Sequence, residues 1–149
     1  MFDKNQIIPI ACDHGGFEMK EYLKTKLKKL GYTISDMGTF SDESVDYPDL
    51  IHPLAKDIES GKYQLGIILC GSGNGAQMTA NKYPNVRAAL CWSLEQAVLA
   101  REHNNANVIS IPGRFVKNTL AIEMTLNFLN TKFEGGRHQR RVEKISKTL

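Results

Sequence analysis

The sequence predicts a parallel α/β fold, in which short buried strands alternate with amphipathic helices. Five apolar stretches have the length and composition of strands, and a segment with helical spacing of its apolar residues follows each one. Glycines such as Gly31 and Gly61 mark the ends of helices. Because parallel strands need right-handed crossover connections, this alternation implies one sheet with helices on both faces.

Local signals define each element in turn. The apolar run Leu65–Leu69 is the longest continuous one and predicts a fully buried strand. The first helix carries its apolar residues on one stripe from Phe17 to Leu30, and Pro48 suits the first turn of the second helix. In chain order we predict strand 7–12, helix 17–30, strand 32–35, a helix from Pro48 to Gly61, strand 65–69, a helix that continues to Pro84, strand 87–91, helix 94–102, strand 108–111 and helix 116–129.

Residues that could bind a ligand cluster where the predicted strands end. In open parallel sheets, ligands bind at the carboxyl ends of the strands. His103, which stands between a helix and the last strand, is expected at this edge too, where either it or His14 could move a proton. The residues that follow strands are Asp13 and His14, Cys70 and its turn, Trp92 and Ser93, and Pro112 to Arg114.

The size and composition indicate one ordinary globular domain spanning residues 1–149. No segment has the features of a signal peptide or approaches the ~20 apolar residues of a membrane span. Cys12, Cys70 and Cys91 are scattered along the chain, which argues against a disulfide framework and against a Cys-x-x-Cys metal site. We therefore expect a cytoplasmic protein that does not associate with membranes.

The net charge of +3 comes entirely from the end of the chain. Residues 131–149 contain six Lys and Arg against two Glu, whereas the first 130 residues contain 13 basic and 14 acidic side chains. Such a localised cluster suits a small anionic ligand or a partner surface rather than nucleic acid, whose binders usually spread positive charge along a face. Arg137 and Arg141 are four residues apart, so a helical tail would place both guanidinium groups on one side to hold a phosphate, although a solubilising basic end is the simpler interpretation.

The turn after the third strand is the strongest candidate for a reactive site. It delivers Cys70 to three glycines spaced two apart, followed by a helix. A thiol at a helix N-terminus is biased toward thiolate, and the N–H groups of such a turn can hold an oxyanion. Two alternatives fit less well. A phosphatase would need arginine where Ala76 stands, and a dinucleotide fold would need Gly-x-Gly-x-x-Gly after the first strand.

Six motifs together resemble the type B ribose-5-phosphate isomerase family, which also includes sugar-6-phosphate isomerases. The resemblance runs nearly end to end and implies a Rossmann-like, three-layer αβα sandwich with a five-stranded parallel sheet. It further implies a homodimer or homotetramer that works without metal or organic cofactor, with the basic tail 131–149 reaching a neighbouring subunit. The motifs are ACDHGG (11–16), SDESVDYPD (41–49), LCGSGNGAQMTANK (69–82), REHNNANV (101–108), PGR (112–114) and EGGRHQRRV (134–142).

The resemblance also assigns roles to individual residues. Cys70 matches the base that moves a proton between C1 and C2, and Ala76 stands where other members have a catalytic glutamate, which indicates the cysteine type. His103 matches the residue that opens the sugar ring, and Ser72 is a further candidate at the catalytic turn. The matched substrate-binding positions are Asp13, His14, Gly71, Ser72, Gly73, Asn74, Gly75 and Asn104, with Arg114, Arg137 and Arg141 at the phosphate.

Three functional hypotheses follow. The first is interconversion of ribose 5-phosphate and ribulose 5-phosphate through an enediolate, because a base, an oxyanion turn and arginines occur together. The second is isomerisation of a six-carbon sugar phosphate such as allose or galactose 6-phosphate. The third is a non-catalytic module that binds phosphate or a nucleotide. The sequence leaves open the roles of Cys12, Cys91 and His138.

Overall fold

A computed structural model describes residues 2–147; Met1, Thr148 and Leu149, the ends of the predicted domain, lie outside the described residues. Short strands alternate with helices throughout, and a 3₁₀ turn over His14–Gly16 precedes the first helix. The elements are β1 (Ile7–Cys12), α1 (Phe17–Lys29), β2 (Thr33–Asp36), α2 (Tyr47–Glu59), β3 (Gly66–Cys70), α3 (Asn74–Ala80), β4 (Ala88–Leu90), α4 (Leu94–Glu102), β5 (Val108–Pro112), α5 (Asn118–Asn130) and α6 (Arg137–Ile145).

Within residues 2–147 the strands form one five-stranded sheet in the order β2-β1-β3-β5-β4, and every neighbouring pair is parallel. Helices pack on both faces, so the predicted three-layer α/β sandwich is confirmed. The register pairs Cys70 of β3 with Pro112 of β5, which brings the turns after these two strands side by side. The carboxyl ends of β1, β3 and β5 therefore meet in the middle of one edge of the sheet.

Each face of the sheet covers its own apolar cluster. On one face α1, α4 and α5 contribute fully buried residues such as Leu23 and Phe128. On the other face α2 and α3 bury Ile51 and Ala80 against β3. Complete burial of a large apolar side chain contributes roughly 1.5–3 kcal/mol relative to its exposure, so these two clusters fix the strands whose ends carry the candidate site.

Two predicted helix boundaries are wrong by a few residues. The helix expected to continue to Pro84 ends at Ala80, because tight turn hydrogen bonds, such as Tyr83 N–H to Ala80 O at 3.4 Å, replace the helical pattern there. The last predicted helix begins at Asn118 instead of residue 116, because the N–H of Val116 bonds back to Pro112 O in the turn that leaves β5.

The buried stripe of α1 also differs from the prediction. Leu30 is 46% exposed, whereas Lys20 is completely buried and donates to both carboxylate oxygens of Asp36 at 2.7 and 2.8 Å. Burial opposes ionisation of Asp36, but hydrogen bonds from Lys20 and Lys24 outweigh it and lower the pKa of that carboxyl group. None of the helices between residues 2 and 147 is long and apolar enough to cross a bilayer.

Candidate active site

The sulfur of Cys70 lies at the carboxyl end of the central strand β3. The residue is 4% exposed, and its Sγ accepts the N–H of Gly73 at 3.1 Å. Gly73 has a left-handed backbone, with φ of +76°, and the chain enters α3 directly after it. The partial positive charge of the N–H is thereby placed against the sulfur, where it stabilises negative charge.

The turns that surround Cys70 are packed backbone against backbone. A Cβ atom on Gly15 would lie 2.8 Å from the nitrogen of Gly71, and one on Gly113 would lie 2.7 Å from the oxygen of Gly15. The N–H of Gly113 also donates to Cys70 O at 2.9 Å. Side chains are excluded from these contacts, so the glycines let the turns after β1, β3 and β5 converge on the thiol.

Only part of the N–H cradle expected over residues 71–75 is free to bind an oxyanion, because two of its five N–H groups already have acceptors. Gly73 donates to the thiol, and Asn74 donates to Ser72 Oγ at 3.3 Å. The N–H groups of Gly71 and Ser72 have no acceptor within residues 2–147 and remain available to an oxyanion. Gly75 lies under the ring of Tyr47, where a Cβ atom would come within 2.5 Å of that ring.

Three polar side chains border this turn. Asp13 is 7% exposed, and its Oδ1 accepts the N–H of Gly16 at 3.1 Å, which caps the 3₁₀ turn. His14 accepts the N–H of Val45 on Nδ1 at 3.3 Å, which leaves Nε2 as its proton-bearing nitrogen. The guanidinium group of Arg114 lies against Gly71, 3.3 Å from where a Cβ atom would be. A cation thus stands beside the turn that follows Cys70.

The structure places His103 at the amino edge of the sheet, so our expectation that it lies at the carboxyl edge is wrong. It is the C-cap of α4, and its N–H bonds to Leu99 O at the end of that helix. A helix between two parallel strands returns the chain to the amino ends of the strands before the next one begins. Five residues of β5, a rise of about 16 Å, therefore separate the level of His103 from the carboxyl edge.

His103 belongs to a compact cluster with the start of the basic tail. Its ring stacks on His138, with 4.2 Å between ring centroids and 6° between the ring planes. The carboxylate of Glu134 lies 3.7 Å from His103 Nε2 and 3.5 Å from His138 Nε2. Burial, His103 and the neighbouring guanidinium groups lower the pKa of His138, while Glu134 raises it. The sequence left His138 unassigned and did not single out Glu134.

The remaining predicted residues also lie near the amino edge, on exposed surface. Arg137 and Arg141 stand one turn apart on α6, and the Nε of Arg137 donates to His138 Nε2 at 3.3 Å. Asn104 lines a groove of about 750 Å³ that runs along the outer side of β4. The tail packs on its own chain here, through the N–H of Glu134 to Glu102 O at 3.0 Å.

The geometry of this cluster does not suit a zinc ion. One ligand atom each from His103, Glu134 and His138 lie within 4.8 Å of one another. A metal at about 2.0–2.1 Å must lie in the plane of each ligating imidazole ring. Since the two rings are stacked in parallel planes, their lone pairs cannot converge on one ion, and the cluster is better suited to sharing protons.

Comparisons with known proteins identify the family. A family model described as Ribose/Galactose Isomerase matches residues 8–145. The chain belongs to the ribose/galactose isomerase family. Among its relatives, ribose-5-phosphate isomerase B of Escherichia coli K12 is 38% identical over 139 residues, which cover 93% of each chain.

Solved structures of the ribose/galactose isomerase family share this fold closely. A ribose 5-phosphate isomerase from Thermotoga maritima is 47% identical with a TM-score of 0.92, covering 95% of this chain and 97% of its own. Ribose-5-phosphate isomerase B from Mycoplasma genitalium, whose structure contains bound ribulose-5-phosphate, is 42% identical with a TM-score of 0.89 and covers 94% and 93% of the two chains.

Proposed function

We propose that this chain interconverts ribose 5-phosphate and ribulose 5-phosphate, with Cys70 as the base. Membership of the ribose/galactose isomerase family and the names of its relatives support this class of reaction. The observation that carries the assignment to Cys70 is the contact of its sulfur with the N–H of Gly73 at 3.1 Å. Ala76 is fully buried in α3 and offers no acid or base as an alternative.

The proposed chemistry uses each group of the turn. In the open-chain aldose, the Cys70 thiolate removes the proton from C2, and the electron pair moves to form the C1–C2 double bond while O1 becomes negatively charged. The N–H groups of Gly71 and Ser72 stabilise that oxyanion. Return of the proton to C1, with transfer of a proton from O2 to O1, gives the ketose. Substrate, enediolate and product have the same atoms, and no oxidant or reductant is consumed.

We further propose that each site is formed by two copies of the chain. Cys70 and His103 lie at opposite edges of one sheet, so a single copy cannot present both to one five-carbon sugar. Exposed aromatic side chains beside the catalytic turn support a covering partner. Trp92 and Phe115, which are 54% and 76% exposed, line a cavity of about 420 Å³ next to Ser72. A homodimer is the smallest assembly that meets this requirement, and a homotetramer could be built from two such dimers.

The arginines complete the proposed site from both sides. Arg114 stands beside Gly71 on the carboxyl edge, while Arg137 and Arg141 are exposed on α6 at the amino edge. Guanidinium groups suit a phosphate dianion because their planar arrays of N–H donors match its oxygens. Phosphate held far from C1 and C2 would orient those carbons against the thiolate. We also propose a cytoplasmic location, since the three cysteines are unpaired.

The test of this function is replacement of the proposed base. We expect Cys70→Ala to lower kcat for ribose 5-phosphate by at least about 10³-fold and to abolish deuterium incorporation at C2 in D₂O. Cys91→Ala is the matched control, because burial raises the pKa of that thiol to about 12 and keeps it protonated. The control should keep wild-type turnover.

Two outcomes would contradict the proposal. Full turnover by Cys70→Ala would remove the thiol from the mechanism. A clearly higher kcat/KM for allose or galactose 6-phosphate than for ribose 5-phosphate would assign the enzyme to the six-carbon branch of the family.

A further inference from the structure

Glu134 occupies a position that the proposed chemistry does not yet use. Its Oε2 atom lies within 4 Å of one ring nitrogen on each of the two stacked imidazoles. The side chain comes from the segment between α5 and α6, and its backbone N–H is fixed to Glu102 O at 3.0 Å, next to His103. The backbone of Glu134 is therefore fixed at the C-terminal end of α4, so the position of its carboxylate does not depend on α6 alone.

The two imidazoles of this stack are not equivalent. His138 is 5% exposed, and its Nε2 accepts the N–H of Arg137, so that nitrogen carries no proton. Its side chain has only 7% of its surface accessible, whereas that of His103 has 36% and can reach a ligand. Of the two stacked rings, His103 is therefore the one that is exposed enough to exchange a proton with a bound sugar. The other charged groups that face the pair are Glu134, Arg137 and Arg141.

We propose that Glu134 is a positioning residue, which together with the His138 ring holds His103 in orientation for opening the furanose ring and stabilises its protonated form. This inference rests on the proposed function. In the step concerned, the His103 imidazole takes the proton of the C1 hydroxyl, and the imidazolium returns that proton to O4 as the C1–O4 bond breaks. The electron pair of the broken bond stays on O4, and the pair left on O1 forms the carbonyl of the aldehyde. The negative charge of the Glu134 carboxylate, 3.7 Å from Nε2, favours the transient imidazolium.

Assays that start from the two sugars distinguish ring opening from proton transfer by Cys70. Ribose 5-phosphate is mostly cyclic and must be opened. Ribulose 5-phosphate cannot close through its C5 oxygen, because that oxygen carries the phosphate, so it reaches the enzyme as the open chain. Exchange of its C1 proton with solvent therefore reports the thiolate and the oxyanion turn without any ring opening.

The experiment compares Glu134→Gln with the wild-type protein in both assays. We expect kcat/KM for ribose 5-phosphate to fall about 10-fold, while exchange of the C1 proton of ribulose 5-phosphate in D₂O changes by less than about twofold. Glu134→Asp keeps the charge and should recover part of the loss. Glu143→Gln is the matched control, because Glu143 is an exposed acid on α6 that accepts from Gln139 instead. It should resemble wild type in both assays.

A second readout does not depend on turnover. Because Glu134 raises the pKa of His138, Glu134→Gln should shift the NMR titration of that imidazole to lower pH in the folded protein. Equal losses in forward turnover and C1 exchange, or no loss in either, would overturn the inference and leave the function of Cys70 intact. Absence of C1 exchange in the wild-type protein would instead contradict the proposed function and, with it, this inference.

Discussion

The two edges of the sheet are constructed in different ways. At the carboxyl edge, the thiol of Cys70 is nearly buried and is placed by backbone contacts between glycine turns such as those of Gly15 and Gly71. At the amino edge, His103 is placed by side chains, through a stacked ring and a neighbouring carboxylate. The carboxyl edge therefore depends on shape, whereas the amino edge depends on charge.

The largest effect should come from adding one methyl group at the carboxyl edge. Gly73→Ala would force a side chain into a left-handed backbone and place its Cβ atom 2.4 Å from Leu90 Cδ1. We expect a loss of about 2–3 kcal/mol in the free energy of unfolding and a drop in kcat of about 100-fold or more as the N–H moves from the thiol. Chemical denaturation and steady-state kinetics measure the two quantities.

Gly61→Ala is the control for this substitution. Gly61 has nearly the same φ, +77°, but a Cβ atom there meets nothing within 4 Å. It should lose about 1 kcal/mol of stability from the backbone alone and keep full activity. If both variants retained wild-type kcat, the dependence of the carboxyl edge on shape would be refuted.

A smaller effect is expected from charge at the amino edge. Burial, His103 and two guanidinium groups lower the pKa of His138 in the folded state, so the unfolded chain takes up a proton at higher pH than the folded protein does. Stability should therefore be fully present above the unfolded value of about 6.5 and decline as the pH falls below it toward the folded pKa. His138→Asn should flatten this decline in Tm between about pH 7.5 and 5.5. An unchanged slope would show that His138 does not titrate on unfolding in this range.

Much of the fold could be predicted from the sequence because it depends on local signals. Apolar runs such as Leu65–Leu69 lie fully in the core, and glycine stops mark the ends of α1 and α2. The turn after β3 could be found in the same way, because it combines a thiol and closely spaced glycines within six residues. Such features need no knowledge of distant contacts.

The remainder depends on contacts between distant parts of the chain. Lys20 is buried because its ammonium group donates hydrogen bonds to the carboxylate of Asp36, on β2. The spacing of apolar residues along α1 cannot predict this contact. Glu134 lies beside His103 only because the tail packs back on α4, and no local sequence pattern predicts that contact. The position of His103 could be predicted from the order of elements alone. A residue between a helix and the following parallel strand lies at the amino edge of the sheet.

The most direct test of the two-copy site is complementation between two weakened variants. Cys70→Ala and His103→Ala are mixed, dissociated and reassembled, so that mixed dimers form. If each site takes Cys70 from one copy and His103 from the other, every mixed dimer contains one complete site, and statistical mixing restores about a quarter of wild-type activity. Activity no greater than the average of the two parent variants would contradict the shared site.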